Sequence, residues 1–73
     1  MSEQLSRAVA AEVRRLLEER GMSGRALARA TGIDQGSISR KLKGETSLDL
    51  DDVQAIAAAL DVRAVDLLTW AER

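Results

Sequence analysis

The sequence predicts an all-α fold, a compact five-helix bundle, on three observations. Alanine and leucine dominate the apolar residues and no proline interrupts them, so helices are favoured and left unbroken. Apolar residues recur at spacings of three and four, which places their side chains on one face of a helix. Glycine, serine and aspartate stand between those stretches, where helices end and begin.

The first helix covers about Ser2 to Arg20, with Leu5, Val9, Val13, Leu16 and Leu17 as its apolar stripe and Glu and Arg on its outer face. Gly21 ends it, because glycine takes the left-handed cap conformation without strain. Ser23 is the expected N-cap of a second, short helix, in which Leu27 and Ala28 form one buried stripe before Thr31-Gly32 interrupts the pattern. Asp34 caps a third helix. In it Ile38 and Leu42 stand four apart on one face, Gln35, Ser37, Ser39, Arg40 and Lys43 cover the rest, and Gly44 closes it. The stretch from Glu45 to Leu48 reads as a turn. Asp49 caps a fourth helix whose first turn carries Asp51 and Asp52, acids placed where the helix dipole favours them. Val53, Ile56, Ala57 and Leu60 form its buried stripe. After the short connection Asp61-Val62-Arg63, a fifth helix carries Val65, Leu67, Leu68 and Trp70. Trp70 is expected to plug the core against the first helix, with a dimer contact as the alternative.

A chain of 73 residues accommodates one domain, near the lower size that folds without disulfide or metal, and residues 1–73 are expected to form a single one. Aromatics are 1 % of the chain, so the core must come from Leu, Ile, Val and Ala. The absence of cysteine and histidine removes disulfides, the usual zinc ligands and the commonest general base. No metal or cofactor is expected. Asp49, Asp51 and Asp52 lack the glycine and distant glutamate of a calcium loop. Ser37 with Lys41, or Ser39 with Lys43, could be imagined as nucleophile and base. Nothing in the sequence suggests burial of either lysine or an oxyanion hole, so an enzyme is not expected. No stretch approaches the roughly 20 apolar residues of a membrane span, and no apolar run follows a basic start, so a cytoplasmic location without membrane contact is expected.

The net charge of −1 argues weakly against a nucleic-acid partner, but its distribution reverses that inference. Residues 1–44 hold nine Lys or Arg against five Asp or Glu, a net of +4, and residues 45–73 hold two against seven, a net of −5. A polyanion responds to where charge sits rather than to its total. Arg7, Arg14, Arg15, Arg20 and Arg29 are expected to form solvated pairs with Glu3, Glu12, Glu18 and Glu19 and to carry no site.

Two helices crossing steeply over a tight turn need a small residue where they touch, a glycine at the turn and an aliphatic in each helix. Ala28, Gly32, Leu27 and Ile38 supply all four. The stretch SGRALARATGIDQGSISRKLKG resembles the Cro/CI-type, or XRE-family, helix-turn-helix of bacterial and phage repressors. LDLDDVQAIAAALDVRAVDLL is similar to the fourth and fifth helices of the same family, so the resemblance covers about residues 5–68. It implies a lambda-repressor-like bundle, with the helix-turn-helix formed by helices 2 and 3, that binds operator DNA.

By that resemblance Gln35 occupies the first base-reading position, Gly36 and Ser37 the next two, and Arg40 a further reader one turn along, with Ser39 counted beside them. Lys43 matches a phosphate-contacting site. The chemistry agrees independently, since Gln bonds bidentately to adenine N6 and N7 and Arg to guanine O6 and N7. Ser23, at a helix N-terminus with free N–H groups, and Arg25 are candidate phosphate clamps. The chain departs from the family pattern at Gly24, where many members place a phosphate-gripping glutamine, and at Thr31 and Lys41, which are usually apolar. Leu42 is expected to take over burial with the Lys41 stem along the surface. Arg63 replaces the usual cap of the fifth helix, so fraying is expected there. The expected function is sequence-specific binding of double-stranded DNA by a transcriptional regulator, a repressor with phage derivation as one origin, including a homodimer on two half-sites. The alternative is a protein-interaction module on the same fold, using the acidic C-terminal half.

Overall fold

Ser2, Ser23, Asp34 and Asp49 each accept a hydrogen bond from the backbone N–H three residues on, at 3.1, 3.0, 3.1 and 2.7 Å. Each bond satisfies a donor that a helix leaves unpaired at its start, and each opens a helix where the sequence placed one. The computed structural model describes residues 2–73 as α1 (Glu3–Arg20), α2 (Gly24–Thr31), α3 (Gln35–Lys43), α4 (Leu50–Ala59) and α5 (Ala64–Ala71). At α4 the Asp52 carboxylate returns a bond to the Asp49 N–H at 3.0 Å and completes a capping box. Arg63 begins α5 with no side-chain cap, as its departure from the family pattern implied.

Gly32 ends α2 with φ of 77°, a left-handed conformation that would strain any residue with a Cβ. That conformation turns α2 sharply into α3. The α4 end uses no glycine. Asp61 there adopts φ of 57°, which aspartate tolerates better than most side chains.

The apolar stripes meet in one core, with Val9, Val13, Leu27, Ile38, Ile56, Leu60 and Leu67 all buried. α1 packs against α3 and α5, α2 against α3 and α4, and α4 against α5. The long first helix therefore supports both the helix-turn-helix and the C-terminal helix.

Several expectations change. Leu48, read as part of a turn, is buried, and its N–H donates to Ser6 Oγ at 2.8 Å. Leu48 and Val53, both in the core, stand at the two positions of a hydrophobic staple around α4's start. Trp70 is half-buried against the edge of the core and does not plug it, and Val65 is 51 % exposed. The reason is angular: about 100° per residue lets only Leu67 of this short helix face the core squarely.

The cations of α1 also divide differently. Arg7 pairs with Glu3, and Arg15 with Glu12 and Glu19, as expected. Arg14 and Arg20 instead donate to the backbone carbonyls of Leu42 and Leu60. Those carbonyls end α3 and α4, where acceptors are unpaired and the helix dipole is negative. Arg29 forms no ion pair among the described residues. Lys41 does not lie along the surface. Its Nζ is 2.8 Å from Asp52 Oδ2, with the two side chains 16 % and 14 % exposed, and the pair ties α3 to α4.

Candidate nucleic-acid interface

The burial of Ile38 and Leu42 fixes how α3 is rotated. At about 100° per residue, Gln35, Ser39, Lys43, Gly36 and Arg40 follow one another around the outward arc. Gln35, Arg40 and Lys43 are exposed, and Gly36 and Ser39 are half-buried. Ser37 falls beyond that arc, half-buried, with its backbone N–H held by Asp34.

Five of the eight residues singled out in the sequence share one open cleft between the start of α2 and the near flank of α3. They are Ser23, Arg25, Gln35, Ser39 and Lys43, over a floor of Ile38 and Leu42. Gly36 and Arg40 lie on the adjoining outer face. A methyl built on Gly36 would touch Arg40 Nη1 at 3.4 Å and press on Asp34 Oδ2 at 3.1 Å, so a larger side chain would push against the carboxylate that caps α3. Gln35 and Arg40 thus bound the arc, about 140° apart around the helix axis, and both lie outside the bundle.

Arg14 enters the same cleft from α1, although the sequence offered it no site. A positional signal existed: Arg14 is four residues after Ala10 and three before Leu17, both buried, which puts it on the margin of α1's core stripe rather than opposite it.

The charges of the cleft are left uncompensated. Arg14, Arg25 and Lys43 stand on its walls with no acidic residue among them. The ion pairs of the described residues engage Arg7, Arg15 and Lys41 instead. Arg40 also forms none. Like charges gathered on one exposed surface repel, screened by solvent, and a bound anion would relieve the repulsion.

The Lys41–Asp52 pair braces α3 from the side away from the cleft. Burial is the largest single influence on the Asp52 carboxyl and opposes its charge. The bonds from the Lys41 ammonium and the Asp49 N–H together outweigh burial and hold the group below the usual carboxylate range.

Similarity to known proteins falls on the same elements. Among solved structures, the clp gene regulator ClgR from Corynebacterium glutamicum is similar with a TM-score of 0.85, at 25 % identity over 93 % of this chain and 72 % of that one. No curated protein matches the sequence. The family described as the Cro/C1-type HTH DNA-binding domain matches residues 12–72. That span takes in the second half of α1 and every helix after it, and on it the chain belongs to the Cro/C1-type helix-turn-helix DNA-binding domain family.

Proposed function

We propose that this domain serves a transcriptional regulator by laying α3 in the major groove of a duplex operator, and that it represses by occupying that site. Gln35, Gly36, Ser37, Ser39 and Arg40 face base edges, with Ser37 reaching them from the side. Ser23, Arg25 and Lys43 hold phosphates. The carrying observation is that Arg25, Arg40 and Lys43 project around one helix pair and form no ion pair within 4 Å among the described residues.

Three further points support the reading. A helix about 10–12 Å across with its side chains matches a groove about 12 Å wide. The Gly24 and Arg25 N–H groups at the first turn of α2 are not taken up by the Ser23 cap, which binds Ala26, so they are free to meet a phosphate. Glycine at position 36 lets the α3 backbone approach the base edges. Two copies would then read half-sites about 34 Å apart.

Anisotropy titration of duplexes selected from a randomised pool tests this. A selected sequence and an affinity that falls with salt are expected; a pool without enrichment, or binding indifferent to salt, counts against it. Arg40→Ala is expected to cost about 1–3 kcal/mol and to relax preference at one base pair. Lys43→Ala is expected to weaken all sequences alike and to reduce the salt slope by about 1.

A second reading rests on the other half of the chain. The exposed large hydrophobics Leu50 and Val65 both lie there, among the residues whose net charge is −5, and would suit a protein partner. Pull-down with nuclease separates the two, since a partner retained after DNA removal favours this reading.

A further inference from the structure

Arg14 and Arg20 make the same kind of bond, each guanidinium donating to the carbonyl that ends another helix. Their surroundings differ. Arg20 reaches Leu60 at the end of α4 and is not part of the cleft, whereas Arg14 reaches Leu42 at the end of α3 and stands on the cleft wall with Arg25 and Lys43. Three helices thus each send one cation into a space with no acid on its walls.

A guanidinium has five N–H donors in a rigid fork. The Leu42 carbonyl engages Arg14 through Nη1, which turns the planar guanidinium toward the end of α3 and leaves its other donors without a partner among the described residues. Among the described residues no carboxylate pairs with Arg14, while Arg15, its neighbour on α1, is held between Glu12 and Glu19. A charge that is exposed on the cleft wall, oriented by a carbonyl and left without a counterion among the described residues is suited to an anion arriving from outside.

We infer that Arg14 is a contact to the DNA phosphate backbone, oriented by the Leu42 carbonyl, so that one guanidinium joins α1, the end of α3 and the phosphate. The inference deepens the DNA-binding reading and rests on it. The consequence is mechanical: a phosphate held by Arg14 is linked directly to the last turn of the helix that carries Arg40 and Lys43, and so fixes how far that helix enters the groove. Such contacts set position without reading sequence.

The test compares Arg14→Gln with Arg20→Gln on the duplex the wild-type protein selects, by anisotropy at several salt concentrations. Both substitutions weaken a helix-end bond, so both lower the melting temperature. Only Arg14→Gln is expected to reduce the slope of log K against log salt, by about 0.9, and to weaken binding roughly tenfold at low salt. A slope for Arg14→Gln equal to that of Arg20→Gln overturns the inference and leaves Arg14 as a helix-end tie alone.

Should Arg14→Gln lose its fold by circular dichroism, the wild-type protein decides the matter. Its Arg14 Nε–Hε resonance, assigned through its absence in Arg14→Lys, is expected to shift when the duplex is added. An unmoved resonance while the α3 amides shift overturns the inference. If Lys43→Ala reduces the salt slope and Arg14→Gln does not, this assignment alone fails. If the wild-type protein selects no duplex, the DNA-binding reading fails and takes this assignment with it.

Discussion

Ile38→Ala is expected to lower the melting temperature by about 10–40 °C. Ile38 is 1 % exposed and belongs to the core cluster to which all five helices contribute. Truncating a buried Ile or Leu to Ala costs about 2–5 kcal/mol, from lost transfer energy and the cavity left behind. A domain of this length has a total stability of about 4–11 kcal/mol, so the loss is a large fraction of the whole. At about 4–8 °C per kcal/mol for domains of this size, the shift follows. Ile38 also forms part of the cleft floor, so DNA affinity falls with the folded fraction. Thermal melts followed by circular dichroism check the prediction, with Val65→Ala as the reference. Val65 is 51 % exposed, and its truncation is expected to change stability by less than about 0.5 kcal/mol. A melting temperature for Ile38→Ala within a few degrees of wild type would mean that α3 is held chiefly by polar ties.

What could be read from the sequence was whatever acts within one or two helical turns. Ser23, Asp34 and Asp49 were recognisable as caps because each binds an N–H three residues away. The outward arc of α3 was recognisable because Ile38 and Leu42, four apart, fix its buried side. Partners distant along the chain were not legible. Arg14 and Leu42 are 28 residues apart, Arg20 and Leu60 are 40, and Ser6 and Leu48 are 42, and their meeting depends on how the helices cross. The local pattern even pointed the wrong way for Arg14, which has Glu18 four residues on, just as Arg15 has Glu19. Arg20 carried a usable signal, since it continues the series Val13, Leu16, Leu17 at a core-facing spacing. The sequence places the Lys41 stem along the surface, with Leu42 taking over burial, because a lysine can lay its methylenes on apolar surface while its ammonium stays in water. Its partner, Asp52, already had a complete local explanation as a first-turn acid, which hid its second role.

Asp52→Ala is expected to cost about 2–4 kcal/mol at neutral pH and to exceed the cost of Lys41→Met. Asp52 serves two structures at once, accepting from Lys41 Nζ at 2.8 Å and from the Asp49 N–H at 3.0 Å. Removing it breaks the capping box of α4 and leaves a lysine ammonium, 16 % exposed, without its partner. Breaking a fully buried pair costs about 3–5 kcal/mol, and the residual exposure of this one lowers that figure. Lys41→Met leaves the capping box intact and fills similar space with an apolar stem. The two variants also separate in acid. The Asp52 carboxyl titrates lower in the folded chain than in the unfolded one, so the folded state binds fewer protons in that range. Its stabilisation is fully present above about pH 4, the ordinary aspartate value, and is lost as pH falls through the lower folded value. The gap in stability between wild type and Lys41→Met, from urea denaturation at a series of pH values, is therefore expected to narrow below about pH 4. A gap that stays constant into that acid range would show that the ion pair does not hold the carboxyl down. The same pair braces the residue next to Arg40, so Lys41→Met should also relax the orientation of α3. DNA affinity in that variant is then expected to fall at neutral pH with no change in the salt slope, because the charge it removes does not face the cleft.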